Sequence, residues 1–183
     1  DDTLTAFIST GFSLGDDVTV NTDDEDYVSW NWKANGGTAT ATITESGNNP
    51  AASVQANPTA GFSLITYTGT GAVGTIAHGL GAVPKWIIIK NRDATDNWAV
   101  YHGANGSTDP ETDYLILNLN NAVADSANWW NDTAPTSSVF TVATDHAVNA
   151  DGEKYVAYVF AEVEGYSKFS HYIANNSTNG QFV

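Results

Sequence analysis

Short apolar runs alternate along the chain with clusters of Gly, Asn, Asp and Ser, and apolar residues almost nowhere recur at a helical interval. Thr, Val, Ile, Tyr, Trp and Phe fill the runs, the residue types that fit a pleated, half-buried surface. The pattern predicts strands at 62–68, 72–77, 85–91, 97–102, 113–119, 138–143, 155–163 and 167–173, separated by turn segments such as TGTG, HGLGAVP and GANGSTDPET. Short strands with turns at close intervals point to an all-β, antiparallel, jelly-roll-like sandwich rather than to alternating strand and helix units.

Two stretches refine this. In YVAYVFAEVE, from Tyr155, both alternating faces begin apolar, which suits a central strand covered on both sides. In WIIIKNRDATDNWAVYHGANG, residues 86–106, KWIIIKN and NWAVYH read as neighbouring strands and NRDATD as their connecting turn. By contrast TATATITESGNNPAASVQANPTA, residues 38–60, holds no aromatic residue and little core-forming volume. It reads as a linker with a short edge strand at 40–44.

The chain also resembles itself. FSLGDDVTVNTDDEDYVSWNWKANGG, from Phe12, aligns without a gap on FTVATDHAVNADGEKYVAYVFAEVEG, from Phe140, at an offset of 140 − 12 = 128. Phe12, Asp17, Val20, Asn21, Asp23, Glu25, Tyr27, Val28 and Gly37 meet identical residues, and Trp30 and Trp32 meet Tyr158 and Phe160. The copy YVSWNWKA carries Ser29, Asn31 and Lys33 on one face, so that face is expected to be wetter. A second echo places GFSLITYTG, from Gly61, over GYSKFSHYI, from Gly165, with a one-residue slip before Tyr172. Such periodicity is the mark of a repeat architecture. The predicted organisation is the end of one repeat (1–37), a linker (38–60), one complete sandwich (61–165), and the opening or pairing strand of a following repeat (166–183). The start at Asp1, without Met or a basic segment, suggests a piece of a longer or processed polypeptide.

Charge then narrows the partners. Twenty-one acidic residues against six basic ones, a formal net charge of −15, repel a phosphate backbone and argue against nucleic-acid binding. No run approaches the ~20 apolar residues of a bilayer span, so a soluble chain without membrane insertion is expected. With no Cys, neither disulfides nor thiolate metal sites are available.

No local motif supports catalysis. His78, His102, His146 and His171 form neither HxH nor HExxH, so no metal site and no cofactor are expected. GTGAVG fits a glycine-rich phosphate loop but lies between strands, and no GxSxG occurs. The acidic runs 21–26 and 93–97 lack the spacing of an EF-hand. Asp109, Glu111 and Asp113, or Asp151 and Glu153, are the carboxylates that a glycoside-cleaving pair would draw on, yet both groups lie in turn-like segments. Aromatic residues beside polar loops are more suggestive: Tyr101, Trp129 and Trp130 offer faces for stacking on sugar rings, and an extended segment would send the two tryptophans to opposite faces. Trp86 and Trp98, in strand-like runs, are expected in the core.

DTLTAF, GFSLG and YVSWNWKANGG, followed by ANPTAGFSLITYTGTGAVGTIAHGLGAVPKWIIIKNR, NDTAPTSSVFTV and YVAYVFAEVEGYSKFSHY, resemble the repeated β-domain of large virion proteins of marine tailed bacteriophages, including tail-fibre-like proteins. The resemblance covers nearly the whole chain. It implies a non-enzymatic structural module of the extracellular phage particle: a fibre, appendage or decoration protein that contacts other virion proteins and copies of itself, with a trimer as one arrangement, and presents loops to a host-surface glycan. A carbohydrate-binding receptor module is the alternative, and a polysaccharide depolymerase the second alternative.

Overall fold

The computed structural model describes residues 3–179 and divides the chain into two compact units, Asp1–Trp32 and Lys33–Val183. The last four residues of the expected pairing segment 166–183 lie outside the described residues.

In the first unit, β1 (Leu4–Ile8) pairs antiparallel with β2 (Gly11–Leu14), Phe7 facing Phe12. A turn follows in which the Asp17 carboxylate accepts from the Thr19 amide at 2.8 Å. Hydrogen bonds to Thr19 hold this carboxyl below its ordinary range.

The second unit contains β3 (Ala41–Ile43), β4 (Ala52–Asn57), β5 (Phe62–Thr68), β6 (Gly74–Ala77), β7 (Pro84–Asn91), β8 (Ala99–His102), β9 (Asp113–Ile116), β10 (Ala124–Asp125), the one-turn helix α1 (Ala127–Trp130), β11 (Val139–Val142), a second single turn α2 (His146–Asn149) and β12 (Lys154–Ala161). Eight strands form one antiparallel sheet in the order β10-β9-β8-β7-β12-β5-β4-β3, and β11 pairs with β6 in a separate ribbon. The fold is all-β and sandwich-like. One core cluster fills the space between the large sheet and the layer made by the ribbon, α1 and α2.

Strand β12 decides the architecture. β3, β4 and β5 form one meander and β7 to β10 another, and β12 enters between β5 and β7. Tyr155, Ala157 and Val159 point into the core with no exposure at all. Ile65 from β5, and Ile87 and Ile89 from β7, meet them there. Burying an aliphatic side chain of this size contributes ~1.5–3 kcal/mol, so the seam where β12 joins the meanders is a main source of stability.

The segment 38–60 is not a linker. β4 lies beside β5 inside the large sheet, with Ala52, Val54 and Ala56 buried and Ser53, Gln55 and Asn57 turned outward. Small side chains concealed this strand because they lack bulk, and the fold requires them small: a Cβ added to Gly79 would come within 3.0 Å of the Ala56 Cβ. The complete sandwich therefore begins before residue 61, with β3 close to the edge strand expected at 40–44.

The strand expected at 167–173 is absent as well; only a bridge between Val163 and Ser167 forms. β5 and β7 already occupy both edges of β12, so this segment finds no free ladder there.

The internal repeat is visible in hydrogen bonds. In unit one the Asn21 side-chain amide donates to the Gly15 carbonyl at 2.7 Å, and Asn149 does the same to Ala143 at 2.8 Å. The Tyr27 hydroxyl accepts from the Thr22 amide at 3.0 Å and donates to the Val18 carbonyl at 3.1 Å. Its counterpart Tyr155 accepts from Ala150 at 2.8 Å and donates to His146 at 2.7 Å. The Asp17 bond to the Thr19 amide recurs as Asp145 to Ala147, and β2 occupies the positions of β11. Every pair keeps the same offset. The likeness stops after the tyrosine. Residues 25–33 form no strand, and Val28 and Trp30 are 74% and 73% exposed, where their counterparts lie inside the central strand β12.

Candidate functional site

The aromatic residues expected to meet a sugar are core residues. Trp129 and Trp130 lie on α1, whose N-cap Ser126 accepts from the Asn128 amide and whose C-cap Asn131 takes a left-handed conformation. Helical backbone replaces the extended segment, so the two rings are not sent to opposite faces. Trp129 stacks on Tyr114 with centroids 3.9 Å apart, and Trp130 meets Tyr101 edge-on at 6.0 Å. All three expected ligand residues, Tyr101, Trp129 and Trp130, are buried and present no open ring face. Burial, with Glu111 nearby, raises the Tyr101 hydroxyl to about 12.

A second aromatic group lies on the opposite face of the large sheet, where Phe62, Phe160, Ile88 and Val100 are buried and Phe169 packs against Trp86 and Phe160. Its rows follow from strand register. Leu64, Tyr158, Ile88, Val100 and Leu115 lie side by side across five strands. Next to them run Asn57, Phe62, Phe160, Trp86 and His102. A third row, Ser53, Thr66, Val156 and Lys90, is mostly polar. Trp98 stacks on Tyr158 at 6.4 Å and Trp86 on Phe160 at 5.2 Å. Trp86, Trp98 and Tyr158 are half-buried, so the two tryptophans assigned to the core by their strand-like surroundings line this outer ledge instead. Period-two alternation places residues on faces but does not say which face is covered.

One end of the ledge collects positive charge in an otherwise acidic protein. Arg92 and Lys154 line a shallow open depression of about 310 Å³ together with Thr42, Ser53, Thr66 and Thr68. Among the described residues neither cation has a carboxylate within ion-pair distance, the recorded pair being Lys168 with Glu162 at 3.0 Å. The depression joins hydroxyls and two cations, chemistry that suits hydrogen bonding to hydroxyl or acidic substituents.

A model of a domain of unknown function, DUF7483, matches residues 1–183. The chain belongs to the DUF7483 family. No curated protein and no solved structure matches it.

The remaining chemistry-bearing residues of this DUF7483 domain hold its turns. Asn91 is buried; its side-chain oxygen accepts from the amides of Asp93 and Ala94, which makes NRDATD an Asx turn. Its amide nitrogen donates to Asp96 at 2.8 Å and also to Glu153. Asp113 accepts from Asn105 at 3.1 Å. Of the carboxylates considered for cleavage, Glu153 and Asp113 are thus engaged by asparagine side chains. His78 is fully buried: Nδ1 accepts from the Leu80 amide and Nε2 faces the Thr136 carbonyl at 3.1 Å, which assigns the neutral Nε2–H tautomer. Burial lowers its pKa, as it does that of His102. Among the described residues no group of three or more His, Cys, Asp or Glu converges so as to hold a metal ion. The glycines of GTGAVG serve close backbone packing, since a Cβ on Gly69 or Gly74 would lie 2.1 Å from the carbonyl oxygen of Ala150 or Asn48.

Proposed function

We propose that the chain is a non-enzymatic structural module of a bacteriophage particle, built of tandem β-sandwich repeats and contributing to particle architecture and host-surface attachment. The observation that carries this reading is the duplication: two segments 128 residues apart (140 − 12 = 128) make the same backbone and side-chain bonds. A chain that carries one sandwich and part of a second copy of its frame suits a tandem array along an extended appendage. The resemblance to marine phage virion proteins supplies the particle. Immunogold labelling of purified particles with antibodies against this chain tests the proposal: gold on a tail, fibre or capsid surface is expected, and unlabelled particles from a phage that carries the sequence overturn it.

A specific observation favours carbohydrate recognition as a second reading. Arg92 and Lys154 line an open depression with four hydroxyl-bearing side chains, Thr42, Ser53, Thr66 and Thr68, and the half-buried rings of Trp98 and Tyr158 lie on the same face of the sheet. This face replaces Tyr101, Trp129 and Trp130 as the surface through which a host glycan would be held. A glycan array that includes acidic polysaccharides should give binding that Trp98→Ala abolishes; an array without hits removes this reading and leaves the structural one standing.

A further inference from the structure

We propose that residues 27–32 form a strand against residues 166–172 of a second copy of this chain, joining copies end to end. β12 is apolar at first on both alternating faces and is paired along both edges, by β5 and β7. Unit one rebuilds the frame leading to β12 as far as Tyr27, then continues without a strand ladder. It also copies only one layer of the sandwich. Phe7 faces Phe12 as Ile76 faces Phe140, yet Phe7 is 78% exposed and Ile76 1%. Unit one is therefore a ribbon with one side of a core and the sequence of a central strand.

The complementary piece is on the same chain. In the complete sandwich the antiparallel partner of β12 is β5. The segment after Gly165 repeats the start of β5 at an offset of 165 − 61 = 104, forms no strand, and leaves Tyr166 and Tyr172 more than two-thirds exposed. The observed pairs Phe160 with Phe62, Val159 with Ser63 and Tyr158 with Leu64 then translate into a definite register: Trp32 with Tyr166, Asn31 with Ser167, and Trp30 with Lys168. The last pair sets a lysine beside an indole, an attractive combination. Phe169 stands where Ile65 does, so pairing draws it from Trp86, where it packs at 5.9 Å, toward the open layer of the partner. This is strand addition between unlike surfaces of identical chains, which propagates into a filament or closes into a ring. It does not rest on the attachment reading.

The chain has no cysteine, which makes cross-linking clean. Asn31→Cys and Ser167→Cys proteins, mixed and oxidised, should form a disulfide-linked pair, because directly paired strand residues fall within disulfide reach. Asn31→Cys mixed with Ser170→Cys, three residues out of register, should not. Sedimentation velocity of the cysteine-free chain should show concentration-dependent growth, weakened at least about tenfold by Val28→Asp with Trp30→Asp. Both sites are exposed, so thermal unfolding of the sandwich should be unchanged. Equal cross-linking of the 167 and 170 variants, an intrachain disulfide in the Asn31→Cys/Ser167→Cys double variant, or a chain that stays monomeric across the concentration range overturns the proposal.

Discussion

Tyr155→Phe probes both the core and the duplication. The ring of Tyr155 is fully buried and stacked on Tyr67 at 5.0 Å, an arrangement that phenylalanine keeps. Only the hydroxyl goes, and with it the acceptor for the Ala150 amide at 2.8 Å and for the Asn91 side-chain amide at 3.2 Å, and the donor to the His146 carbonyl at 2.7 Å. An amide left without a partner in the interior costs about 1–3 kcal/mol, whereas the carbonyl of the exposed His146 can turn to water. A loss of roughly 2 kcal/mol is expected, which lowers the Tm of a domain of this size by about 4–8 °C. Tyr27→Phe removes the corresponding two bonds in unit one, where the tyrosine is half exposed and water replaces the hydroxyl; a change within about 0.5 kcal/mol is expected. Urea unfolding followed by tryptophan fluorescence, with the m-value checked for constancy, reads both variants. A Tyr155→Phe protein as stable as the parent would refute the reasoning, since it would mean that the Ala150 amide finds another acceptor. Equal losses at the two sites would refute the claim that unit one lacks a closed core.

Trp130→Ala should destabilise by about 3–5 kcal/mol in the same unfolding assay, because a fully enclosed indole leaves a cavity, whereas Trp98→Ala on the outer ledge should cost markedly less. Gly69→Ala places a Cβ 2.1 Å from the Ala150 carbonyl oxygen, so the turn must open; a loss of more than about 2 kcal/mol in calorimetry is expected. The pH profile should fall on the acid side. His78 and His102 have pKa values lowered from 6.5 by burial, so below that value the unfolded chain binds protons that the folded one refuses. Stability should therefore fall as the pH drops below about 6.5, and His78→Asn should flatten the curve in pH-dependent calorimetry.

The alternation of apolar and polar residues was enough to place most strands of the complete sandwich within a few residues, because period two is set by the backbone whatever packs against it. The same rule missed β4, whose alanines and serines carry the pattern without the bulk, and overextended to 167–173, where the pattern exists but the neighbouring ladder positions are taken. The two single-turn helices left no periodic trace, since four residues are too few to show one. That is why Trp129 and Trp130 read as an extended pair on opposite faces, with ring faces open to a sugar. The register that gathers Trp86, Trp98 and Tyr158 on one ledge, and sets Arg92 and Lys154 at its end, was not legible in any local segment; it arises only when β12, separated from β7 by more than sixty residues, pairs between the two meanders.

Sequence by itself determined the strand-rich class, the acidity, the lack of cysteine, and the duplication down to the tyrosine and asparagine that recur. These are properties of residue type and spacing, which exist before the chain folds. Tertiary structure decided which of the two equivalent central segments becomes a strand. Tyr155–Phe160 does so because β5 and β7 supply hydrogen-bond partners on both edges and a second layer covers one face. Val28 and Trp30, of the same pattern, lack a ladder and stay in solvent, because a strand is defined by its neighbours and not by its own residues.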